Sequence, residues 1–221
     1  RPTNVMGATK RFAELILQSL QDVVNNLPSN KCNTKFSMVR FGNVLDTSGS
    51  VIPLFRKQIE AGGPVTVTDP KVIRYFMTIT EATELVIQAG PLSKGGDVFL
   101  LEMGEPIYVL DLAKEMIRLS GNQIKNSENP SGNIEIVFTG LRAGEKLFEE
   151  LLIGETVDKT MHTHIMRANE EKLSYEKITY FLEQFKSLDS QSSIKTIQNV
   201  LYEAVDGYKP YKNSNVVKIN K

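Results

Sequence analysis

The sequence predicts an α/β fold, and three observations predict it. Short β-prone runs alternate with stretches of helical periodicity along most of the chain. Glycine, proline and asparagine punctuate the junctions, as at Leu27-Pro28-Ser29-Asn30, Gly42-Asn43 and Gly62-Gly63-Pro64. Polar and charged residues gather where strands run into loops, which is where open α/β sheets place their ligands.

The elements follow in order. Thr3 or Asn4 can cap a first helix, because a short side-chain oxygen accepts a bond from an orphan first-turn amide. Phe12, Leu15, Ile16, Leu20, Val23 and Val24 carry the helical spacing to about Asn26. A strand is expected at Lys35–Phe41 and a helix at Val51–Ala61. Val65–Thr68 and Arg74–Ile79 read as strands, and Thr80 as the cap of a helix reaching Gln88. Asp97–Glu102 reads as a strand, and Tyr108–Leu119 as a helix with Gly121 just past its end. Ile134–Phe138 is the next strand, Glu145–Ile153 a short helix and His164–Arg167 a last short strand. Ser174–Lys186 and Ser193–Val205 have the pattern of two amphipathic tail helices, and the last dozen residues are expected to fray. There is no internal repeat and no low-complexity tract.

Composition narrows the functions. At 221 residues and 41% hydrophobic, the chain suffices for one large domain or most of one. Basic and acidic residues number 26 each, so no global field draws nucleic acid or an anionic membrane. The single cysteine, Cys32, excludes an intrachain disulfide and a multi-cysteine metal site, and it fits a reducing compartment. No apolar run approaches the roughly 20 residues that span a bilayer. His162 and His164 share a strand face at i, i+2, but with no cysteine near them no metal site is expected.

Arg1-Pro2-Thr3-Asn4 runs straight into a helix with no leading strand, so we expect a portion of a longer fold. No G-x-G-x-x-G turn occurs, and Gly62-Gly63 and Gly95-Gly96 lead back into strands as plain turns. A dinucleotide pyrophosphate needs such a turn at a helix N-terminus. This stretch alone is therefore expected not to hold a nicotinamide cofactor tightly.

Four motifs carry the chemistry. In Asn4-Val5-Met6-Gly7-Ala8-Thr9-Lys10, Met6 and Lys10 lie four apart and share a helix face. Read blandly, that is a buried methionine beside a surface lysine. Met38-Val39-Arg40-Phe41-Gly42-Asn43-Val44 is a strand end followed by Gly49-Ser50-Val51-Ile52-Pro53. Asp69-Pro70-Lys71-Val72-Ile73-Arg74-Tyr75-Phe76 and Thr139-Gly140-Leu141-Arg142-Ala143-Gly144-Glu145-Lys146 each bring an arginine to a strand–loop junction. Two guanidinium forks converging on one pyrophosphate make charge-assisted bidentate bonds. Glu145 offers acceptors for ribose hydroxyls. Alone, either arginine is equally a surface ion pair, and the Gly-Glu-Lys turn a helix cap.

Together these motifs resemble the polysaccharide-biosynthesis dehydratases of the extended short-chain dehydrogenase/reductase superfamily, of the UDP-N-acetylglucosamine 4,6-dehydratase kind. Met6 stands where the superfamily's Tyr-x-x-x-Lys pair has its tyrosine, as in the long, membrane-anchored members. The resemblance covers roughly Arg1 to Ile153, more weakly Thr160–Arg167, and adds little from Ser174 onward. Ala143 stands where the family has proline.

The resemblance implies the C-terminal half of a Rossmann-like fold with its smaller substrate subdomain. Residues 1–50 are then a remainder of the Rossmann-like domain, 51–168 mainly the sugar-nucleotide subdomain and 169–221 a helical tail. It implies that UDP-N-acetylglucosamine becomes a UDP-4-keto-6-deoxy-hexosamine for bacterial surface polysaccharide, capsule or lipopolysaccharide. Hydride leaves sugar C4 for the nicotinamide, the C5 proton and the C6 hydroxyl leave as water, and the hydride returns to C6. Configuration at C5 is expected to be retained. NAD is the expected cofactor and NADP the alternative, bound mainly by a half outside this chain.

By the same resemblance Lys10 and Val44 meet the cofactor, and Asn43, Arg74, Arg142 and Glu145 the UDP-sugar. Met6 has no proton to trade. The C4 hydroxyl proton must therefore pass to a group elsewhere, which the resemblance places in a Thr-Asp-Lys segment preceding Arg1. The whole enzyme is expected to be a homo-oligomer, cytoplasmic in its catalytic part, with membrane contact only through an N-terminal region. Two other readings stay open. A 4-epimerase of this superfamily would keep the tyrosine that Met6 replaces. A non-catalytic sugar-nucleotide-binding or assembly module would have no cofactor motif anywhere.

Overall fold

The structure is a computed structural model that describes residues 2–28, 32–149, 157–189 and 191–210. Helix α1 (Val5–Asn25) leads into β1 (Ser37–Arg40) and the two-residue β2 (Asn43–Val44). Next come α2 (Val51–Glu60), β3 (Val65–Val67), β4 (Ile73–Arg74), β5 (Phe76–Met77) and α3 (Ile79–Ala89). Then follow β6 (Asp97–Leu101), β7 (Ile107–Tyr108), α4 (Val109–Leu119), β8 (Ile124–Lys125) and β9 (Ile134–Phe138). β10 (Val157–Lys159), β11 (Ile165–Ala168), α5 (Tyr175–Lys186) and α6 (Ile194–Ala204) follow these.

The strands form small mixed sheets. β1 pairs parallel with β6, from Ser37 opposite Asp97 to Arg40 opposite Leu100. β11 runs antiparallel on the far side of β6, and β10 antiparallel on β11. β3, β9 and β8 form a parallel set. β2 and β5 make a parallel pair, and β4 and β7 an antiparallel one.

Three apolar clusters hold these layers. Phe99, Leu101 and Ile165 from β6 and β11 pack with Met77, Ala82 and Ala89 from β5 and α3. Phe55 and Ile59 of α2 meet Val65, Val67, Ile134 and Ile117 around the β3–β9 sheet. Ala8, Phe12 and Leu15 of α1 are covered by Ile178 and Phe181 of α5 and Leu201 and Ala204 of α6. Phe12 meets Phe181 edge-on at 6.4 Å between ring centroids and Phe185 at 5.2 Å. Fully burying a side chain of this size is worth about 1.5–3 kcal/mol. The tail helices are therefore part of the core that fixes α1.

A closed ring of charges reinforces that corner. Arg40 Nε donates to Glu14 at 2.7 Å, and its Nη1 to Glu170 at 2.5 Å. Arg11 reaches both carboxylates at 2.9 Å. Two cations balance two anions, so β1, α1 and the segment after β11 are joined without a net buried charge. Burial alone would raise the Glu14 carboxyl, but the bonds and charges of Arg40 and then Arg11 hold it below the usual range. Burial alone would lower the Arg40 guanidinium, but its bonds to Glu14 and Glu170 and their charges raise it further.

Several expectations need correction. The Arg74–Ile79 strand is two two-residue strands, and Ile79 already opens α3. Its cap is Thr78, not Thr80, because Thr78 and Glu81 form a reciprocal capping box that Thr80 cannot. The Glu145–Ile153 helix does not form over Glu145–Glu149, and residues 150–153 lie outside those described. Gly144, at φ +75°, turns the chain there, and the backbone of Leu147 bonds β4 instead of a helix. His162 and His164 sit in a turn before β11 rather than on a strand face. The Asn43–Val44, Ile107–Tyr108, Ile124–Lys125 and Val157–Lys159 strands were not expected. The last dozen residues lie almost wholly outside those described. Among the described residues, no helix is long and apolar enough to cross a membrane.

Candidate functional site

Glu145 is the hub around which the predicted ligands assemble. Thr68, just past β3, donates its hydroxyl to Glu145 Oε1 at 3.0 Å, and Arg74 Nη2 reaches the same oxygen at 3.4 Å. The other oxygen accepts the backbone N–H of Arg142 at 3.0 Å. The Glu145 N–H donates back to the Arg142 carbonyl at 2.9 Å, closing the turn. A carboxylate three residues after its donor thus organises the loop and ties it to β3 and β4.

Arg74 is almost enclosed, with only 15% of its side chain exposed. Its Nη1 donates to the carbonyls of Ile73 at 2.7 Å and Leu147 at 3.3 Å. The Nε/Nη2 edge, which grips phosphate bidentately, faces two different glutamates: Glu145 at 3.4 Å from Nη2 and Glu149 at 3.4 Å from Nε. Both contacts are long for charge-assisted bonds. β4 is antiparallel to β7, so Arg74 does not arrive on the end of a parallel strand as expected.

Asn43 comes to the same place from β2. Its N–H donates to the Tyr75 carbonyl at 2.9 Å, registering it beside the residue that follows Arg74. Gly42 makes this approach possible, since a Cβ there would lie 2.8 Å from the Tyr75 carbonyl oxygen and against the Met103 sulfur. Burial raises the Glu149 carboxyl above the usual carboxylate range, against the opposing pull of Arg74, Asn43 and Lys146. Glu149 was not singled out in the sequence, where it falls inside the expected Glu145–Ile153 helix. Val44 is half-buried beside Asn43, against the cluster of Met77 and Leu101.

The Arg142–Glu145 turn rests on the start of α1. Thr3 Oγ1 donates to the Gly144 carbonyl at 2.7 Å, and Asn4 Nδ2 reaches it at 3.4 Å. Asn4 also caps α1 by accepting the Gly7 N–H at 2.8 Å. Arg142 itself is exposed, and its guanidinium has no bonded partner among the described residues. Met6 and Lys10 are exposed, Met6 at 66%, on the opposite side of α1 from the face that Phe12 and Leu15 bury. Met6 is thus not the buried core residue of the bland reading.

An open lysine on a rigid helix suits a nicotinamide ribose, and Val44 beside Asn43 offers an apolar surface. The sequence contains no glycine-rich turn for the pyrophosphate, so this chain fits only part of that cofactor. His164 Nδ1 lies 2.5 Å from Glu102, but among the described residues no group of three His, Cys, Asp or Glu side chains is placed to hold a metal. A shallow cleft lined by Arg56, Glu60, Ser120 and Asn133 shares no residue with the Glu145 cluster.

The chain belongs to the polysaccharide biosynthesis protein family, which matches residues 1–170. Its fold is accordingly the α/β fold of the extended short-chain dehydrogenase type. It is 58% identical over 151 residues to capsular polysaccharide biosynthesis protein CapD of Staphylococcus aureus, covering 68% of this chain and 23% of that one. A UDP-glucose 4-epimerase of Rickettsia rickettsii is 31% identical over 158 residues, covering 72% of this chain and 42% of that protein. Among solved structures, Pen from Bacillus thuringiensis superposes with a TM-score of 0.61 at 32% identity, covering 86% of this chain and 60% of that one. The chain thus spans about a quarter of the length of CapD and under half that of the epimerase.

Proposed function

We propose that this chain supplies the sugar-nucleotide site and part of the active site of a UDP-N-acetylglucosamine 4,6-dehydratase acting in surface polysaccharide synthesis. The observation that carries the reading is that Arg74 reaches Glu145, Asn43 is registered beside Tyr75 next to Arg74, and the Arg142–Glu145 turn rests on the start of the helix bearing Met6 and Lys10. Arg142, exposed and unpartnered among the described residues, is the guanidinium available to the pyrophosphate. Asn43, Arg74 and Glu145 position the nucleotide, whose binding energy is remote from the reacting carbons. When bound, NAD supplies reversible hydride acceptance. Lys10 orients its ribose and adds positive potential. Met6 cannot take the C4 hydroxyl proton, so that proton passes to a group contributed by another part of the enzyme.

Incubating the complete enzyme with UDP-N-acetylglucosamine and following the product by NMR tests this. A 4-keto-6-deoxy product, carrying a C6 methyl, is expected. A product that keeps its C6 hydroxyl and differs only at C4 would replace the dehydratase with an epimerase. The likeness to the UDP-glucose 4-epimerase supports that second reading. The aprotic Met6 counts against it.

A further inference from the structure

We infer that Arg40 is a positioning residue for Lys10: it draws the Glu14 carboxylate over to the end of β1 and so keeps it from pairing with the lysine one turn before it on α1. This rests on the reading of Lys10 as the lysine that meets the cofactor. Met6, Lys10 and Glu14 follow one another at steps of four along α1 and share a stripe of the helix. A glutamate four residues from a lysine is an ion-pair partner on such a stripe. Lys10 is nonetheless exposed and has no bonded partner among the described residues. The Glu14 carboxylate is turned elsewhere.

Arg40, the last residue of β1, turns it. Its Nε donates to Glu14 Oε1 at 2.7 Å and its Nη2 to Oε2, a bidentate grip on both oxygens. The same guanidinium donates to Glu170, at 2.5 Å from Nη1 and 2.8 Å from Nη2. Arg40 is thus anchored by the segment after β11, off α1 altogether, and pulls Glu14 sideways from its own helix. Arg11 lacks that leverage. Its Nη1 lies 2.9 Å from Glu14 and 2.9 Å from Glu170, and it stands at i−3 of Glu14, beside Lys10 at i−4. A carboxylate released by Arg40 therefore meets Arg11 and Lys10 together. Burial alone would raise the Glu14 carboxyl, but the bonds and charges of Arg40 and then Arg11 hold it below the usual range. Released, it would still stand beside two cations and stay ionised. With 17% of its side chain exposed, its charge is only partly screened by solvent. A lysine paired in this way gives less positive potential to the ribose and nicotinamide.

The test uses the complete enzyme turning over UDP-N-acetylglucosamine, with kcat, KM and melting temperature measured on each variant. Arg40→Gln leaves Glu14 to Lys10 and lowers kcat about fivefold, the upper end for an ion pair that is not deeply buried, with KM nearly unchanged. Two second substitutions separate the effect on Lys10 from stability. Adding either Glu14→Gln or Glu170→Gln restores the balance of charge around Arg11, so both raise the melting temperature above that of Arg40→Gln. Only Glu14→Gln removes the anion that reaches Lys10, so only that pair recovers the parental kcat. If Arg40→Gln is too unstable to assay, Arg40→Lys takes its place. It keeps the charge but loses the fork, and Glu14→Gln again restores kcat where Glu170→Gln does not. Equal recovery of kcat by the two pairs, tracking the melting temperature, makes the ring a structural brace and overturns the inference. An Arg40→Gln enzyme with parental kcat, beside an inactive Lys10→Ala, also overturns it and leaves the reading of Lys10 standing. If Lys10→Ala itself keeps parental kcat, the reading of Lys10 falls and the inference with it.

Discussion

Thr3 and Gly144 lie 141 residues apart in sequence and are joined by a 2.7 Å hydrogen bond from the Thr3 hydroxyl to the Gly144 carbonyl. Gly144 sits at φ +75°, and a Cβ there would lie 2.9 Å from Asn4 Cβ and 3.0 Å from the Thr3 carbonyl oxygen. The turn that carries Arg142 and Glu145 is thereby fixed against the helix that carries Met6 and Lys10.

Gly144→Ala tests that contact. Left-handed backbone and the clash with α1 should together lower stability by about 1–3 kcal/mol. Gly140→Ala is the control, because it has a similar φ of +81° and nothing within 4 Å of its Cβ. Thermal unfolding should show the larger drop for Gly144→Ala. Equal drops would mean that the close approach to α1 contributes nothing.

Met6→Leu in the complete enzyme should keep most of its turnover, since volume and polarity are nearly unchanged. Lys10→Ala should lose orders of magnitude in kcat/KM with little change in melting temperature, because Lys10 is exposed. A Met6→Leu enzyme as inactive as Lys10→Ala would give the methionine a role beyond occupying the tyrosine position.

Arg142→Lys and Arg74→Lys keep charge but lose the planar fork. Arg142→Lys should weaken UDP binding by up to about 1.5–3 kcal/mol, the range for charge-assisted bonds, and leave the melting temperature nearly unchanged. Arg74→Lys should lower both, because its guanidinium also braces Ile73, Leu147 and two glutamates. Calorimetric titration beside thermal melts reads the two quantities separately. Unchanged UDP affinity in both variants would remove the arginines from the site.

The Glu14 carboxyl, depressed despite its burial, gives stability that is present above its unfolded pKa and lost as pH falls through the lower folded one. Glu14→Gln should therefore cost about 1.5–3 kcal/mol at neutral pH, the range for hydrogen bonds to charged groups. The gap between parent and variant should begin to narrow below about pH 4, near the ordinary carboxylate value, and close only below the depressed folded one. Denaturant melts across pH 3–7 follow the gap. A difference that stays constant with pH would locate the loss in packing rather than charge.

What the sequence made legible was what its local neighbours decide. Phe12, Leu15 and Ile16 announced α1, and of the two caps the sequence left open, Thr3 and Asn4, the structure uses Asn4. Thr78 and Glu81 held a capping-box signal that Thr80 obscured. The two-residue strands around Asn43 and Arg74 had no local signature, because each exists through a partner far along the chain. Glu145–Glu149 has a helical pattern, but Gly144, Arg74 and Thr68 claim its groups first. Asn43, Arg74 and Glu145 were each visible as polar residues at strand ends. That Arg74 faces both Glu145 and Glu149 was not, since a glutamate's partner is set only by folding.

The packing of α5 and α6 on α1 also bears on how such a chain can diverge. The family match stops at residue 170, just before these helices begin. Yet Ile178, Phe181 and Leu201 fill the back of the helix whose front presents Met6 and Lys10. A volume change at any of these tail positions displaces Phe12 or Leu15, and through them the axis that aims the lysine. Related proteins are therefore expected to vary in tail identity but to compensate pairwise, a larger residue at 181 met by a smaller one at 12. A segment that varies freely in sequence would then still evolve under the constraint of a helix face it never touches.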